Sequence, residues 1–258
     1  MNKINQLFQQ GDGRKLLSLY FCAGSPTLEG TARVILTLQR RGVDMVEVGI
    51  PFSDPLADGP VIQQAGTEAL ANGITLAKIF EQLGGIRGQV DIPLVLMGYL
   101  NVVERYGLER FFRDCVATGV SGCIIPDLPF RDYLERVKPL ADRHDVRVIM
   151  MITPETSEER VRLIDRHTDG FIYMVSSAST TGTQGSFGPD HLAYFDRVEA
   201  MGLRNPRMIG FGIGNRQTLA LAQGHAAGAI IGSKFVSLLR QEGDPDKALD
   251  LLFDALNQ

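Results

Sequence analysis

Asp44-Met45-Val46-Glu47-Val48-Gly49-Ile50-Pro51-Phe52-Ser53-Asp54-Pro55-Leu56-Ala57-Asp58-Gly59-Pro60 begins as a buried strand and ends as a proline-rich loop. Residues 44–48 form a short apolar run around an acid, the pattern of a parallel strand covered on its outer face. A lone carboxylate inside such a strand is costly unless it has a partner or a task. Asp54 and Asp58 follow on the loop. A fixed acid and a more mobile one facing the same cleft suit proton shuttling. The plainer alternative makes Glu47 a satisfied core acid and the aspartates turn caps.

Outward from this stretch, strand-like runs alternate with helical patterns to both ends of the chain. The runs are 16–22, 45–48, 94–97, 122–125, 146–151, 170–175, 207–210 and 228–231. Amphipathic stretches lie between them. In 28–41, Val34, Ile35 and Leu38 share a face; in 108–118, Phe111, Phe112 and Val116 do; in 157–166, Val161, Leu163 and Ile164 do. Gly42 and Gly119 stand where helices stop. About eight strands, each followed by a helix, predict an α/β fold with a single (β/α)8 TIM barrel over residues 1–258. A doubly wound open sheet is the runner-up, because alternation alone does not close a barrel. Residues 3–10 read as an extra N-terminal helix able to plug the barrel, and 245–256 as the last outer helix, with Leu249, Leu252, Phe253 and Leu256 inward.

The composition fits such a fold. The chain has 258 residues, 44% of them hydrophobic, and a formal net charge of -4. Scattered Lys and Arg and a slight acidic excess give no electrostatic reason to bind nucleic acid. No apolar run is long enough to cross a bilayer, and the first residues lack the apolar core of a signal peptide. Cys22, Cys115 and Cys123 show no C-x-x-C spacing, which predicts reduced thiols in a cytoplasmic protein. His144, His167, His191 and His225 have no ligand spacing and read as solvated, so no metal site is expected.

Two glycine segments predict an anion site. Gly210-Phe211-Gly212-Ile213-Gly214 follows the seventh strand, and Gly232-Ser233 follows the eighth, ahead of a short helical pattern. Barrels often bind phosphate there, with backbone N–H groups and a helix N-terminus as donors. The first segment is incomplete as a dinucleotide fingerprint, and 228–234 is too short in glycine spacing for a P-loop. The small polar loop 176–185 is a candidate lid, with a merely flexible surface loop as the alternative.

The string Glu47-x-Gly49-x-Pro51-Phe52-Ser53-Asp54-Pro55-x-Ala57-Asp58-Gly59-Pro60 resembles the signature of the tryptophan synthase alpha chain family. The resemblance extends over the whole chain through Gly24-x-Pro26, Tyr99-x-Asn101, Pro126-Asp127-Leu128-Pro129, Thr181-Gly182, Gly210-Phe211-Gly212-Ile213 and 226–233. It implies retro-aldol cleavage of indole-3-glycerol phosphate to indole and glyceraldehyde 3-phosphate. It also implies a beta-chain partner in an alpha2beta2 assembly, with pyridoxal phosphate on that partner and no cofactor on this chain. Glu47 matches the family's acid/base and Asp58 the carboxylate that accepts the indole N–H. The substrate-binding positions implied are Tyr20, Ile62, Met97, Tyr99, Ile124, Tyr173, Thr181, Gly182, Gly212, Gly232 and Ser233; Met151 is a further pocket position. Ser177, Ser179, Tyr20, Pro126 and 214–216 depart from the commoner family pattern. The alternatives are a stand-alone lyase releasing free indole, another phosphosugar barrel, and a catalytically idle regulator of a beta chain.

Overall fold

The apolar runs pair in chain order. A computed structural model describes residues 1–10, 13–176 and 186–257. Its strands are β1 (Leu16–Cys22), β2 (Met45–Gly49), β3 (Leu94–Met97), β4 (Val120–Ile124), β5 (Arg147–Ile152), β6 (Ile172–Val175), β7 (Arg207–Gly210) and β8 (Gly228–Ile231). Each is parallel to its neighbours, and β8 pairs back onto β1, with Leu16 opposite Gly228 and Leu19 opposite Ile231. That last pairing closes the barrel and excludes the open sheet.

Side chains alternate across each strand, so one parity faces the barrel axis. Leu16, Met45, Val95, Ile124, Ile149, Phe171, Tyr173, Met208 and Ile230 pack together inside. Glu47 lies two residues beyond Met45 and therefore shares its inward face. Tyr20 stands opposite Glu47 in the register, and Val95 opposite it on the other side. The other parity packs under the helices in a larger cluster that includes Leu19, Phe21, Val46, Val48, Leu96 and Ile209.

The N-terminal helix, Lys3–Gln10, does sit across the end of the barrel where the strands begin. Ile4 is fully buried, and Phe8 packs on Phe171 with ring centroids 5.7 Å apart. Asn2 Nδ2 fastens the segment by donating to the carbonyls of Ser121 (2.8 Å) and Asp145 (2.6 Å). A Cβ on Gly122 would lie 2.7 Å from the Ile4 side chain, so the missing side chain makes room for the plug.

Several local expectations change. Val116 is exposed, and Cys115 takes the inward place with Phe111 and Phe112. With 3.6 residues per turn, the face centred on 111, 112 and 115 leaves 116 at its edge. The stretch 28–41 divides into a 3-10 turn, Leu28–Gly30, and a helix, Thr31–Arg40. The terminal helix, Pro245–Asn257, buries Leu249, Leu252 and Leu256, with Phe253 partly covered against the same cluster. All three cysteines are free and buried. Burial pushes the thiols of Cys22 and Cys123 up to about 12, which makes them poor nucleophiles.

Candidate active site

Where the strands end, a cavity opens between β1, β2 and the loops after β7 and β8. It is lined by Tyr20, Glu47, Asp58, Ile62, Met97, Tyr173, Phe211, Gly212, Ile213, Ile230, Gly232 and Ser233, and holds about 440 Å³ of empty space, its open mouth included. Mixed apolar walls with a few convergent polar groups are the usual makeup of a small-molecule site.

Glu47 is fully buried. Its Oε1 accepts one hydrogen bond, from Ser18 Oγ at 3.3 Å, while Oε2 has no partner among the described residues. Burial disfavours the charged form, and the Ser18 contact offsets this only in part, so the carboxyl is pushed up to about 8. At neutral pH the group is mostly a carboxylic acid, with a proton to give. An unpartnered buried oxygen costs stability unless a ligand uses it.

Asp58 sits on the loop after β2, half-buried, under different conditions. Tyr99 Oη donates to its Oδ2 at 3.1 Å and accepts the Ala57 N–H at 3.0 Å. Burial raises the Asp58 carboxyl and the Tyr99 hydrogen bond lowers it, with a net upward direction. Tyr99 thus pins the loop by two bonds to one hydroxyl, and Phe52 packs on its ring at 5.2 Å. Two carboxyls in unlike environments can hold unlike protonation states.

The far wall is polar backbone. The helix Ser233–Glu242 starts at Gly232 with no side-chain cap, which leaves its first N–H groups open to an anion. Across from it, Phe211 (φ 70°) and Gly212 (φ 74°) both adopt left-handed backbone. For a phenylalanine this is strained, a conformation that clusters at functional sites. Ser176 Oγ holds the turn by donating to the Phe211 carbonyl at 2.9 Å, and the Phe211 ring meets Tyr173 edge-on at 6.0 Å. A Cβ on Gly210 would overlap the Tyr173 hydroxyl, so the tyrosine lies across β7 only because residue 210 lacks a side chain.

Of the residues singled out from the sequence, Tyr20, Glu47, Asp58, Ile62, Met97, Tyr173, Gly212, Gly232 and Ser233 meet at this cavity. Tyr99 stands behind Asp58 instead of on the wall. Ile124 is fully buried in the barrel interior below, and Met151 packs partly against the same interior. Thr181, Gly182, Ser177 and Ser179 lie outside the described residues. Phe211 and Ile213 were anticipated only as part of the glycine segment of the anion site, and Ile230 was not anticipated as a lining residue. Strand parity could have found Ile230, two positions beyond the inward-facing start of β8.

The histidines differ from expectation. His191 Nδ1 accepts the Gly188 N–H at 3.1 Å, and His144 contacts Glu109 at 3.1 Å. His225 lies 3.4 Å from Asp196 and 3.3 Å from Glu199, on two outer helices away from the cavity. Asp196, Glu199 and His225 are the one group of potential metal ligands among the described residues. Their spacing is that of ion pairs, and sequence spacing could not show it because the donors come from separate helices. Only His167 is exposed as expected.

The family model for the tryptophan synthase alpha chain matches residues 7–253. A tryptophan synthase alpha chain from Phocaeicola vulgatus is 62% identical over 257 residues, covering 99% of each chain. Among solved structures, tryptophan synthase subunit alpha from Legionella pneumophila superposes with a TM-score of 0.89 at 33% identity, over 99% of this chain and 97% of that one. A chain of the tryptophan synthase complex from Pyrococcus furiosus gives 0.81 at 30% identity, over 94% and 96%. Similarity that runs almost end to end, at this level of identity and on the same barrel, means that the chain belongs to the tryptophan synthase alpha chain family.

Proposed function

We propose that Glu47 and Asp58 carry out the reaction of the family in this chain, the cleavage of indole-3-glycerol phosphate to indole and glyceraldehyde 3-phosphate. The observation that carries this assignment is the fully buried Glu47, with a carboxyl oxygen that has no partner among the described residues, in a cavity shared with Asp58 and a helix N-terminus without a side-chain cap. The neutral Glu47 gives its proton to indole C3, and positive charge spreads to the ring nitrogen. Asp58 accepts the N–H hydrogen bond and offsets that charge. The Glu47 carboxylate then takes the proton of the hydroxyl on the carbon attached to C3. That O–H pair becomes the aldehyde C=O, the C–C bond breaks, and its electrons restore the indole ring. Glu47 finishes protonated, as it began.

The phosphate is assigned to the N–H groups at Ser233 and the Gly212 turn, and the indole ring to the apolar wall of Ile62, Met97 and Ile213. Tyr20 and Tyr173 stand beside the acid, their phenols pushed up by burial and therefore neutral. Thr181 and Gly182 are retained as lid positions on the resemblance alone, and Ile124 as a support beneath the pocket. The whole chain, residues 1–258, is taken to act as one barrel domain. These steps need proton transfers and an anion site, so no cofactor is assigned to this chain.

A beta chain bearing pyridoxal phosphate is the proposed recipient of the indole, in an alpha2beta2 assembly. The support is family membership, the likeness to a chain of a tryptophan synthase complex, and Leu56, an 86% exposed side chain on the loop that carries Asp54, Pro55 and Asp58. A cytoplasmic location is proposed on the three unpaired buried thiols. None of the described helices is long and apolar enough to cross a membrane. The test is incubation of the purified chain with indole-3-glycerol phosphate, with and without a beta chain, and measurement of indole. Slow release alone and strong activation by the partner is the expected result. No release in either case defeats the assignment, and full speed alone favours a stand-alone lyase.

A further inference from the structure

Glu47 faces several groups in the cavity, yet the side chain that holds it is not among the residues lining that cavity. Tyr20 on β1, Tyr173 on β6 and Asp58 after β2 are the titratable neighbours, and no Lys or Arg is among the described lining residues. Val95, opposite Glu47 on β3, is apolar. The hydrogen bond to Glu47 comes from Ser18, itself fully buried on β1 and, by parity, on the same inward face as Tyr20. The bond goes to Oε1, and Oε2 has no partner among the described residues.

We propose that Ser18 is a positioning residue whose hydroxyl, by donating to Oε1, makes Oε2 the one oxygen through which Glu47 both gives and takes its proton. The inference rests on the acid/base reading of Glu47. A neutral carboxyl that accepts at Oε1 carries its hydrogen on Oε2. The O–H bond at Oε2 breaks as the C–H bond at indole C3 forms. The resulting carboxylate keeps the Ser18 donor on Oε1, which stabilises the charge, and Oε2 is free to take the hydroxyl proton. Without Ser18 the proton can rest on either oxygen, and the productive arrangement is only part of the population.

Ser18→Ala and Ser18→Thr, assayed in the assembled enzyme beside Glu47→Gln, test this. Ser18→Ala is expected to lower kcat by about 10-fold, the effect of losing one hydrogen bond to a group that ionises, with KM unchanged. The basic limb of the kcat profile should move to higher pH, because the bond that favours the carboxylate is gone. The carboxylic-acid carbonyl band in infrared spectra, identified by its loss in Glu47→Gln, should titrate with the same displacement. Ser18→Thr, which keeps the hydroxyl, should restore kcat and the profile. Ala is small and apolar enough for a core site, and a thermal melt confirms the fold. Wild-type kcat and pH profile in Ser18→Ala would overturn the proposal while leaving the Glu47 assignment standing, provided Glu47→Gln is inactive. A move of the profile to lower pH would overturn it too, since it would mean that Glu47 donates to Ser18. Retained turnover in Glu47→Gln would defeat the acid/base reading itself.

Discussion

Glu47→Gln should make the folded chain relatively more stable as the pH rises, even as it removes the acid. In the folded chain the Glu47 carboxyl is held at about 8, against 4.5 for a free glutamate. Below pH 4.5 both states keep the proton, and the folded state suffers no penalty. Between 4.5 and 8 the unfolded chain releases its proton while the folded chain retains it, so stability falls with rising pH. Above 8 both states are ionised and the loss levels off. The gap from 4.5 to about 8, at about 1.4 kcal/mol per pH unit, sets a ceiling of about 5 kcal/mol. Relaxation and water entry around a buried charge reduce this, and about 2 kcal/mol is the expected difference across the window. Gln does not ionise. It adds a buried amide that needs partners, a cost of about 1–3 kcal/mol, but that cost is the same at every pH. The quantity to follow is therefore the wild-type-minus-variant difference from urea unfolding at pH 5, 6, 7, 8 and 9. Other titrating groups are common to both proteins and cancel. A difference that stays flat from pH 5 to 8 would refute the claim that Glu47 is folded in as a neutral acid.

The same variant should lose about 10²–10⁴-fold in kcat and retain substrate binding, measured as indole release in the assembled complex. For the wild type, kcat/KM should fall as pH rises through about 8, where Glu47 loses its proton; a rate still climbing past that point would contradict the general-acid role. Tyr99→Phe should lower kcat by about 10-fold without unfolding the barrel, because it frees both Asp58 and the Ala57 amide, and stopped-flow indole formation would register it. Ser233→Asp should weaken glycerol 3-phosphate by about 10-fold or more, whereas Lys234→Ala should do little. Calorimetric titration distinguishes the two, and equal affinities would move the anion site elsewhere.

Much of the barrel was legible because its strands are short, continuous and β-branched. The expected limits of β1, β3, β7 and β8 match the structure, and β4 and β6 shift by two residues at glycine-flanked ends. Closure was not legible, since it depends on Leu16 meeting Gly228 across the length of the chain. Glu47 could be read from its apolar strand, because charge in that setting calls for a purpose. Tyr99 was assigned to the pocket wall, but its hydroxyl turns onto the Asp58 loop, a contact decided by loop conformation that strand parity does not reach. Asp127, noted only as part of a motif, accepts the Leu100 N–H at 2.8 Å and so fixes the start of the helix Leu100–Tyr106. Phe211 was hidden for a similar reason: its left-handed backbone reverses the parity that would have predicted its direction.

The N-terminal plug has a consequence for traffic. With Lys3–Gln10 stoppering one end and packed side chains filling the shaft above it, the barrel formed by the described residues is a flask whose cavity opens at the opposite rim. Traffic between the cavity and solvent is thereby directed to the rim where the strands end, away from the plugged end. A partner seated on that rim would therefore act as the stopcock. It would decide the order of departure and whether the apolar product reaches bulk water at all, without touching either carboxyl.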